Sequence, residues 1–401
     1  MLSLFTKLPT RIEKCLLLLT IVLICEQTLF IYPIVVIKSI FPILGICAFP
    51  IIYLYLFCGS LSYNTYRWVR IEDFFIILFF TLAILITCII YPNNAPFIFE
   101  RLDIILQSVP FFILGLCMSI NQYSLDVLSK WCCLGVIVSA VYRLIFQDFS
   151  EAATRGYNMD AAYVLLLNTL IVIDFAIRTK RIVPILCSVV AIFYTLSMGT
   201  RGPIVIILSF ILVKIYTQSF NSIKQSRKIL NITAVTIILL LFFSTNLFPK
   251  TLIFLQGILD GLGFSTRILD FAISNEMISA TSGRDDIVAD LLNRLQYSPL
   301  LGYGVYGEWP LGYYSAHNIY IEICYHFGYP IGILLILLYI ICVIKAYRKT
   351  DSISQSWILI LSCFVFIRGF FGGSYLSFGV FLLLGYCLQI IRKKHRSLKY
   401  S

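Results

Sequence analysis

Charge is scarce in this sequence. Asp, Glu, Lys and Arg together make up 13% of its 401 residues, about half the ~25% usual in soluble proteins. Acids are scarcer still, 20 against 31 Lys and Arg, and there are only 3 His. No cysteine lies in a polar stretch: all 13 sit in or beside apolar segments, where Cys acts as a small hydrophobe. That excludes a disulfide framework and a zinc site built on cysteine spacing. What fills the chain instead is apolar: 60% hydrophobic residues, with a mean hydropathy of +0.92. A soluble core cannot hide that much apolar surface, so two or three soluble domains are ruled out. The reading is an all-α polytopic membrane protein.

Apolar runs predict about twelve spans of ~20 residues each. They fall near Cys15–Tyr32, Ile34–Phe57, Asp73–Tyr91, Leu102–Ile120, Trp131–Phe149, Ala161–Ile177, Ile182–Gly199, Pro203–Tyr216, Ile229–Phe248, Asn318–Tyr347, Trp357–Phe371 and Tyr375–Ile391. The whole chain, 1–401, is read as a single membrane domain. The first run is long for a signal peptide and no small-x-small site follows it, so it is read as a span.

Lys and Arg bias sets the expected orientation. With both termini in the cytoplasm, 21 of the 31 basic residues fall inside, 12 of them Lys and 9 Arg. Outside, Lys38 and Lys250 stand against eight arginines: Arg101, Arg143, Arg155, Arg201, Arg267, Arg284, Arg294 and Arg368. The inner charge anchors the chain to the bilayer and needs no nucleic acid. The outer preference for Arg suits an anionic ligand, because the planar guanidinium grips carboxylate or phosphate at two points. Pairing with outer acids such as Asp103, Asp160 or Asp290 is the plainer alternative.

One connection is long, Pro249–His317, and it is placed outside. Ser282 and Asp285 have capping-box spacing, and Ile287, Val288, Leu291, Leu292 and Leu295 repeat at helical intervals. An amphipathic helix is expected over about Gly283–Gln296, on the membrane surface or packed on the spans, with Asp290 and Arg294 paired. The Gly- and aromatic-rich stretch after it, including Tyr303 and Trp309, suits either sugar stacking or an interfacial belt.

Three basic residues share a setting. Arg201 precedes Gly202-Pro203 at a span start, Arg284 opens the loop helix, and His317 stands just before a span. Helix N-termini offer free N–H groups to anions, so Arg201 and Arg284 are candidate phosphate ligands. His317 is expected to have a depressed pKa there and to serve as a neutral general base. His326 is read as buried and structural. Arg143 and Arg368 lie at headgroup depth as second-tier contacts, joined by Arg155, Arg267, Trp309 and Tyr303 for diphosphate or glycan. Asp174 is expected to partner a nearby Arg or Lys, and Glu26 to pair with Lys38. Asp285-Asp286 reads as capping rather than as a metal site.

Thr200-Arg201-Gly202, Ser282-Gly283-Arg284, Pro299-Leu300-Leu301-Gly302-Tyr303-Gly304, Ala316-His317-Asn318-Ile319-Tyr320 and Gly328-Tyr329-Pro330-Ile331-Gly332 occur in that order. Together they resemble the bacterial O-antigen polymerase and O-antigen ligase superfamily, over about residues 182–335. The resemblance implies a C-type glycosyltransferase membrane fold, no metal or other cofactor, and inverting transfer from an undecaprenyl-diphosphate-linked glycan. The active site would face the periplasm, or exterior, from the bacterial inner membrane. It further implies that Arg201 and Arg284 stabilise the departing diphosphate and that His317 deprotonates or orients the acceptor hydroxyl. A polymerase would join lipid-linked repeats into O-antigen, capsule or exopolysaccharide, with a chain-length regulator as partner. A ligase would pass the glycan to lipid A–core. A transporter or flippase is the competing class, disfavoured because the long loop belongs to one half of the chain only.

Overall fold

A computed structural model describes residues 11–30, 70–146, 159–197, 200–222, 253–254, 256–258, 261 and 284–397. The expected spans Ile34–Phe57 and Ile229–Phe248, the Ser282 cap, Lys38, Arg155 and Arg267 lie outside the described residues. Every regular element among the described residues is helical. They are α1 Arg11–Cys25, α2 Ile71–Ile90, α3 Ala95–Glu100, α4 Leu102–Cys117, α5 Gln122–Phe146, α6 Met159–Thr179, α7 Ile182–Ser197, α8 Arg201–Ser222, α9 Arg284–Leu295, α10 Ile319–Lys349, α11 Ser352–Ser362 and α12 Phe378–Ser397. Five of the described helices are long and apolar enough to cross a membrane. The helices overlap the apolar runs, but α11 starts five residues before Trp357, α8 and α12 run six residues past Tyr216 and Ile391, and α5 starts nine residues early, at Gln122 and not near Trp131. A reciprocal cap explains the early start: the Asn121 amide donates to Ser124 Oγ at 2.8 Å and the Ser124 amide to Asn121 Oδ1 at 2.9 Å.

The chain divides into two compact units. One comprises residues 24–31 and 129–282. Its polar core gathers around a π-helical turn, Glu26–Phe30, which releases the Thr28 carbonyl to accept a 2.8 Å bond from Ser139. Asn168 of α6 donates to the Thr28 hydroxyl. Asp174, fully buried, is held by Arg178 at 2.6 Å and by Lys214 of α8 at 2.6 Å, the local pairing its position in an apolar span requires.

The other unit comprises residues 1–23, 32–128 and 283–401. Small residues let α4 and α12 touch backbone to backbone. A Cβ on Gly115 would run into the Leu382 carbonyl oxygen, and one on Gly385 into that of Phe112. Gly385→Ala therefore overpacks this crossing. A loss of ~1–3 kcal/mol is expected, read as a lower thermal midpoint of the detergent-purified protein.

Two contacts fix the ends of this unit. At one end Arg392 of α12 forks onto buried Asp73 at the start of α2, with bonds of 2.6 and 2.7 Å. At the other, the Tyr91 hydroxyl donates to the Gly302 carbonyl at 2.8 Å, and the Asn94 amide to the Tyr303 carbonyl at 2.9 Å. Helix α2 thus runs the length of the unit, and the segment that follows α9 closes over its far end.

Helix α10 is broken by its own sequence. Pro330 lacks an N–H and its ring displaces the carbonyl of His326 four residues back. Gly328 absorbs the kink at φ 76°, ψ 165°. The freed carbonyls are taken by the preceding segment: Tyr303 N–H donates to Tyr325 O at 2.8 Å and Gly304 N–H to His326 O at 3.0 Å. In return Tyr329 N–H donates to Pro299 O at 2.8 Å. Residues 299–304 are therefore docked on α10 by backbone bonds that a straight helix would not offer.

Candidate functional site

Helix α9 carries Arg284 as its first residue, one position from the expected start. Leu291 and Leu295 on its apolar face are fully buried against Ala316, Cys324 and Tyr325, so the helix packs on α10. Its polar edge is tied as expected, with Arg294 Nε donating to Asp290 Oδ2 at 2.8 Å. The Tyr303 hydroxyl donates to the Arg294 carbonyl at 2.8 Å while its ring stacks on Tyr325 at 4.8 Å.

His317 sits one residue before the cap of α10. Asn318 is the cap, its Oδ1 accepting from the amides of Tyr320 at 3.0 Å and Ile321 at 3.2 Å. His317 itself is left-handed, φ 52°, a conformation that costs ~1–2 kcal/mol for a residue with a Cβ. Bonds on both sides hold it there, since its own amide donates to Ser315 Oγ at 3.0 Å. The half-buried imidazole has its pKa pushed below the ordinary histidine value, first by burial and second by the Arg284 guanidinium. Both causes disfavour the imidazolium, so the ring is neutral at physiological pH.

Arg284 also reaches a third segment. Its Nη1 donates to the Phe371 carbonyl at 3.1 Å. Phe371 belongs to an irregular turn after α11, where the helix loosens into a π-turn at Cys363–Ile367 and a 3-10 turn at Arg368–Phe370. The Arg368 carbonyl accepts from the amides of Phe371 and Gly372, and its guanidinium lies 5.0 Å from the Phe364 ring. Gly373, φ 94°, follows beside the Arg368 side chain. The far end of the turn is clamped by Glu322 of α10, which accepts from Ser374 Oγ at 2.6 Å and from the Tyr375 amide at 3.2 Å. One end of this unit thus gathers Arg284, His317 and the Arg368 turn.

Below them lies a buried polar cluster. His326 Nε2 is 2.6 Å from Glu308 Oε2, and Nδ1 is 3.0 Å from the Tyr375 hydroxyl. His326, Glu308 and Glu322 are 1–3% exposed. His326 is buried and structural as expected, but Glu308 and Glu322 escaped the sequence reading. The visible signal was Glu322 and His326, four apart in an apolar span. The three side chains offer ligand atoms within 4.8 Å of one another, enough for a metal. Protein hydrogen bonds already engage both oxygens of Glu322 and both nitrogens of His326.

The remaining candidates fall as follows. Trp309 is 7% exposed, in a core with Tyr306, Ile98 and Ile319, and Arg101 stacks over its ring at 5.1 Å. Trp309 is thus packed in the core, and Tyr303 is likewise engaged in packing. Tyr297 and Tyr314 are the aromatics of this stretch that stand exposed. Arg201 is the first residue of α8, in the other unit, which agrees with its expected place at a helix N-terminus. Pro203 sits two positions further in. Arg143 lies near the end of α5. The side chains of both arginines are outside the described residues.

An apolar groove of about 420 Å³ is lined by Ile319 and Tyr320, which follow His317 closely in the chain, and by Phe79, Phe327 and Leu384. Two tyrosine hydroxyls in its wall are turned into backbone carbonyls, Tyr320 to Phe366 at 2.7 Å and Tyr339 to Val380 at 2.9 Å. The walls left to a ligand are therefore apolar.

The family model described as O-antigen ligase matches residues 183–337. The match covers Arg201, Arg284, Glu308, His317, Glu322 and His326, and it supports the O-antigen ligase and polymerase superfamily. No curated protein matches the chain.

Proposed function

Taking the O-antigen ligase match as premise, we propose that this protein is a membrane glycosyltransferase that polymerises undecaprenyl-diphosphate-linked oligosaccharide repeats without a metal. The carrying observation is the placement of an imidazole near a guanidinium, His317 and Arg284, at the start of the helix whose Ile319 and Tyr320 line an apolar groove. That combination fits an amphiphile with an anionic head. The isoprenoid tail lies along the groove and the diphosphate meets Arg284, with Arg368 close by. Arg201 belongs to the other unit, and its Thr200-Arg201-Gly202 motif alone recommends it as a phosphate ligand.

In the reaction the acceptor hydroxyl attacks the anomeric carbon from the face opposite the diphosphate. A new C–O bond forms, the bond to the diphosphate oxygen breaks with its electron pair, and the configuration inverts. His317 accepts the hydroxyl proton and Arg284 offsets the charge that develops on the leaving group. Diphosphate is a good leaving group, so positioning and charge stabilisation supply most of what the step needs. The site faces the periplasm or exterior in this reading, consistent with the outer bias toward Arg.

Transfer to lipid A–core is the second reading, favoured by the description of the matching family itself. Purified protein incubated with one lipid-linked repeat unit separates the two. Polymerisation yields a ladder of longer lipid-linked products with no core present. Turnover that appears only on adding lipid A–core overturns polymerisation in favour of ligation.

A further inference from the structure

At the end of the same unit away from His317, a second cavity carries charge. Helix α10 runs 31 residues, roughly 45 Å at 1.5 Å per residue, from the cap beside His317 to Lys349. There the connection after α4, the α10–α11 turn and the last turns of α12 enclose about 360 Å³, within the ~300–1,000 Å³ range of small-molecule sites. Its wall includes Lys349, Asp351, Ser354, Gln389 and Lys393.

Three features mark it as built to receive a ligand. Gln389 is 6% exposed, lines the cavity, and has no hydrogen-bond partner among the described residues. Its two donors and one acceptor are therefore left for whatever occupies the cavity. Lys349 and Lys393 make no ion pair among the described residues, and against them stands Asp351, which accepts from the Thr350 hydroxyl at 3.2 Å. The lining is therefore cationic by one charge. Finally, α11 starts at this wall, and the Asp351 side chain makes no capping bond to it. The first-turn amides of α11 remain as donors. Ser354, 6% exposed, shares its hydroxyl with Tyr386.

We propose that this cavity binds the phosphodiester headgroup of an anionic membrane phospholipid, with Lys349 and Lys393 on the phosphate and Gln389 and the first turn of α11 donating to its oxygens. One phosphodiester charge balances the lining. A glycerol hydroxyl of the headgroup donates to Asp351. Met118, Ile120 and Ile390 in the same wall meet the apolar part of the lipid. Helix ends flanked by lysine stand at headgroup depth. Bound lipid joins three separate segments, so it stabilises their packing at the end of the molecule away from the glycan chemistry.

The test uses the full-length protein in detergent, with phosphatidylglycerol as probe and phosphatidylcholine as control. Native mass spectrometry reads retained lipid and thermal unfolding reads stabilisation. Phosphatidylglycerol is expected to be retained at least ~10-fold more than phosphatidylcholine and to raise the midpoint. In the Lys349→Gln/Lys393→Gln double variant that preference disappears. Gln389→Leu, which fills the amide position with an apolar side chain and leaves the charges, weakens it several-fold. Lys345→Gln/Arg348→Gln, at the same end but outside the cavity lining, leaves it unchanged. Equal retention of the two lipids overturns the proposal, as does a preference that survives in a folded double variant. If the double variant does not fold, an unchanged preference in Gln389→Leu overturns it instead. Stabilisation by inorganic phosphate at the concentration at which the lipid acts assigns the site to a free anion and overturns the lipid.

Discussion

His317→Ala lowers turnover of a lipid-linked glycan by ~10²–10⁴-fold, the range for loss of a positioned general base, while the protein folds and retains its lipid diphosphate. Binding survives because Arg284, the Arg368 turn and the groove are built by other residues. Arg284 is anchored on the Phe371 carbonyl, and that turn is clamped from Glu322. None of these bonds passes through the imidazole of His317. The wild-type pH profile carries the same signature. Burial and then Arg284 push the His317 pKa below its ordinary value, and the active form is neutral. The acid limb of the rate therefore lies below the ordinary histidine value, where the ring takes a proton. Arg284→Gln removes the second cause. It moves the acid limb of kcat/KM upward in pH, toward the ordinary histidine value, besides lowering the rate through lost charge stabilisation. An acid limb that stays in place in Arg284→Gln separates His317 from Arg284 electrostatically.

The largest loss of stability is expected from Glu308→Ala. It strands buried His326 without the carboxylate that meets its Nε2 at 2.6 Å. Removing one partner from a buried hydrogen-bonded pair costs ~1–3 kcal/mol, and more where a charge is involved, because the survivor stays desolvated and unpaired. Glu308→Gln keeps a hydrogen-bonding side chain of the same shape and loses less. Glu72→Ala, at an exposed acid, shifts stability by no more than ~0.5 kcal/mol. The thermal midpoints of the three purified variants rank accordingly: Glu308→Ala lowest, then Glu308→Gln, with Glu72→Ala near wild type. A midpoint for Glu308→Ala equal to that of Glu72→Ala removes the cluster as a structural support. Because Glu322 also clamps the turn that Arg284 holds, collapse of the cluster disturbs the site from below as well as the fold.

Local signals were legible where the chain decides them locally. The apolar period of residues 287–295 and the acids after Arg284 placed α9 to within one residue at each end. The Asp290–Arg294 pair and the buried bonds of Asp174 follow from spacing four apart and from the cost of an unpaired charge in an apolar span. His317 could be placed next to a helix start and its pKa shift given the right direction, with Arg284 as one cause; the larger cause, burial, was not legible.

The cluster of Glu308, His326 and Glu322 was not legible, because its assembly is a tertiary event. Pro330 and Gly328 free two carbonyls of α10, residues 303 and 304 take them, and only then does Glu308 arrive beside His326. The same docking draws Trp309 inward, which composition alone could not separate from an exposed platform. The early start of α5 was written in Asn121 and Ser124, but Lys130 and the polar run before Trp131 hid it from an apolar-run reading. The paired glycines of α4 and α12 needed both helices in view before their role became clear.

The most direct measurement is release of polyprenyl diphosphate from a lipid-linked repeat unit by the purified full-length protein, wild type beside His317→Ala. The account predicts one diphosphate released for each glycosidic bond formed by wild type, with inverted configuration in the product. It also predicts a rate at least ~10²-fold lower in the folded variant. Equal rates in the two proteins, or product of retained configuration, contradict it.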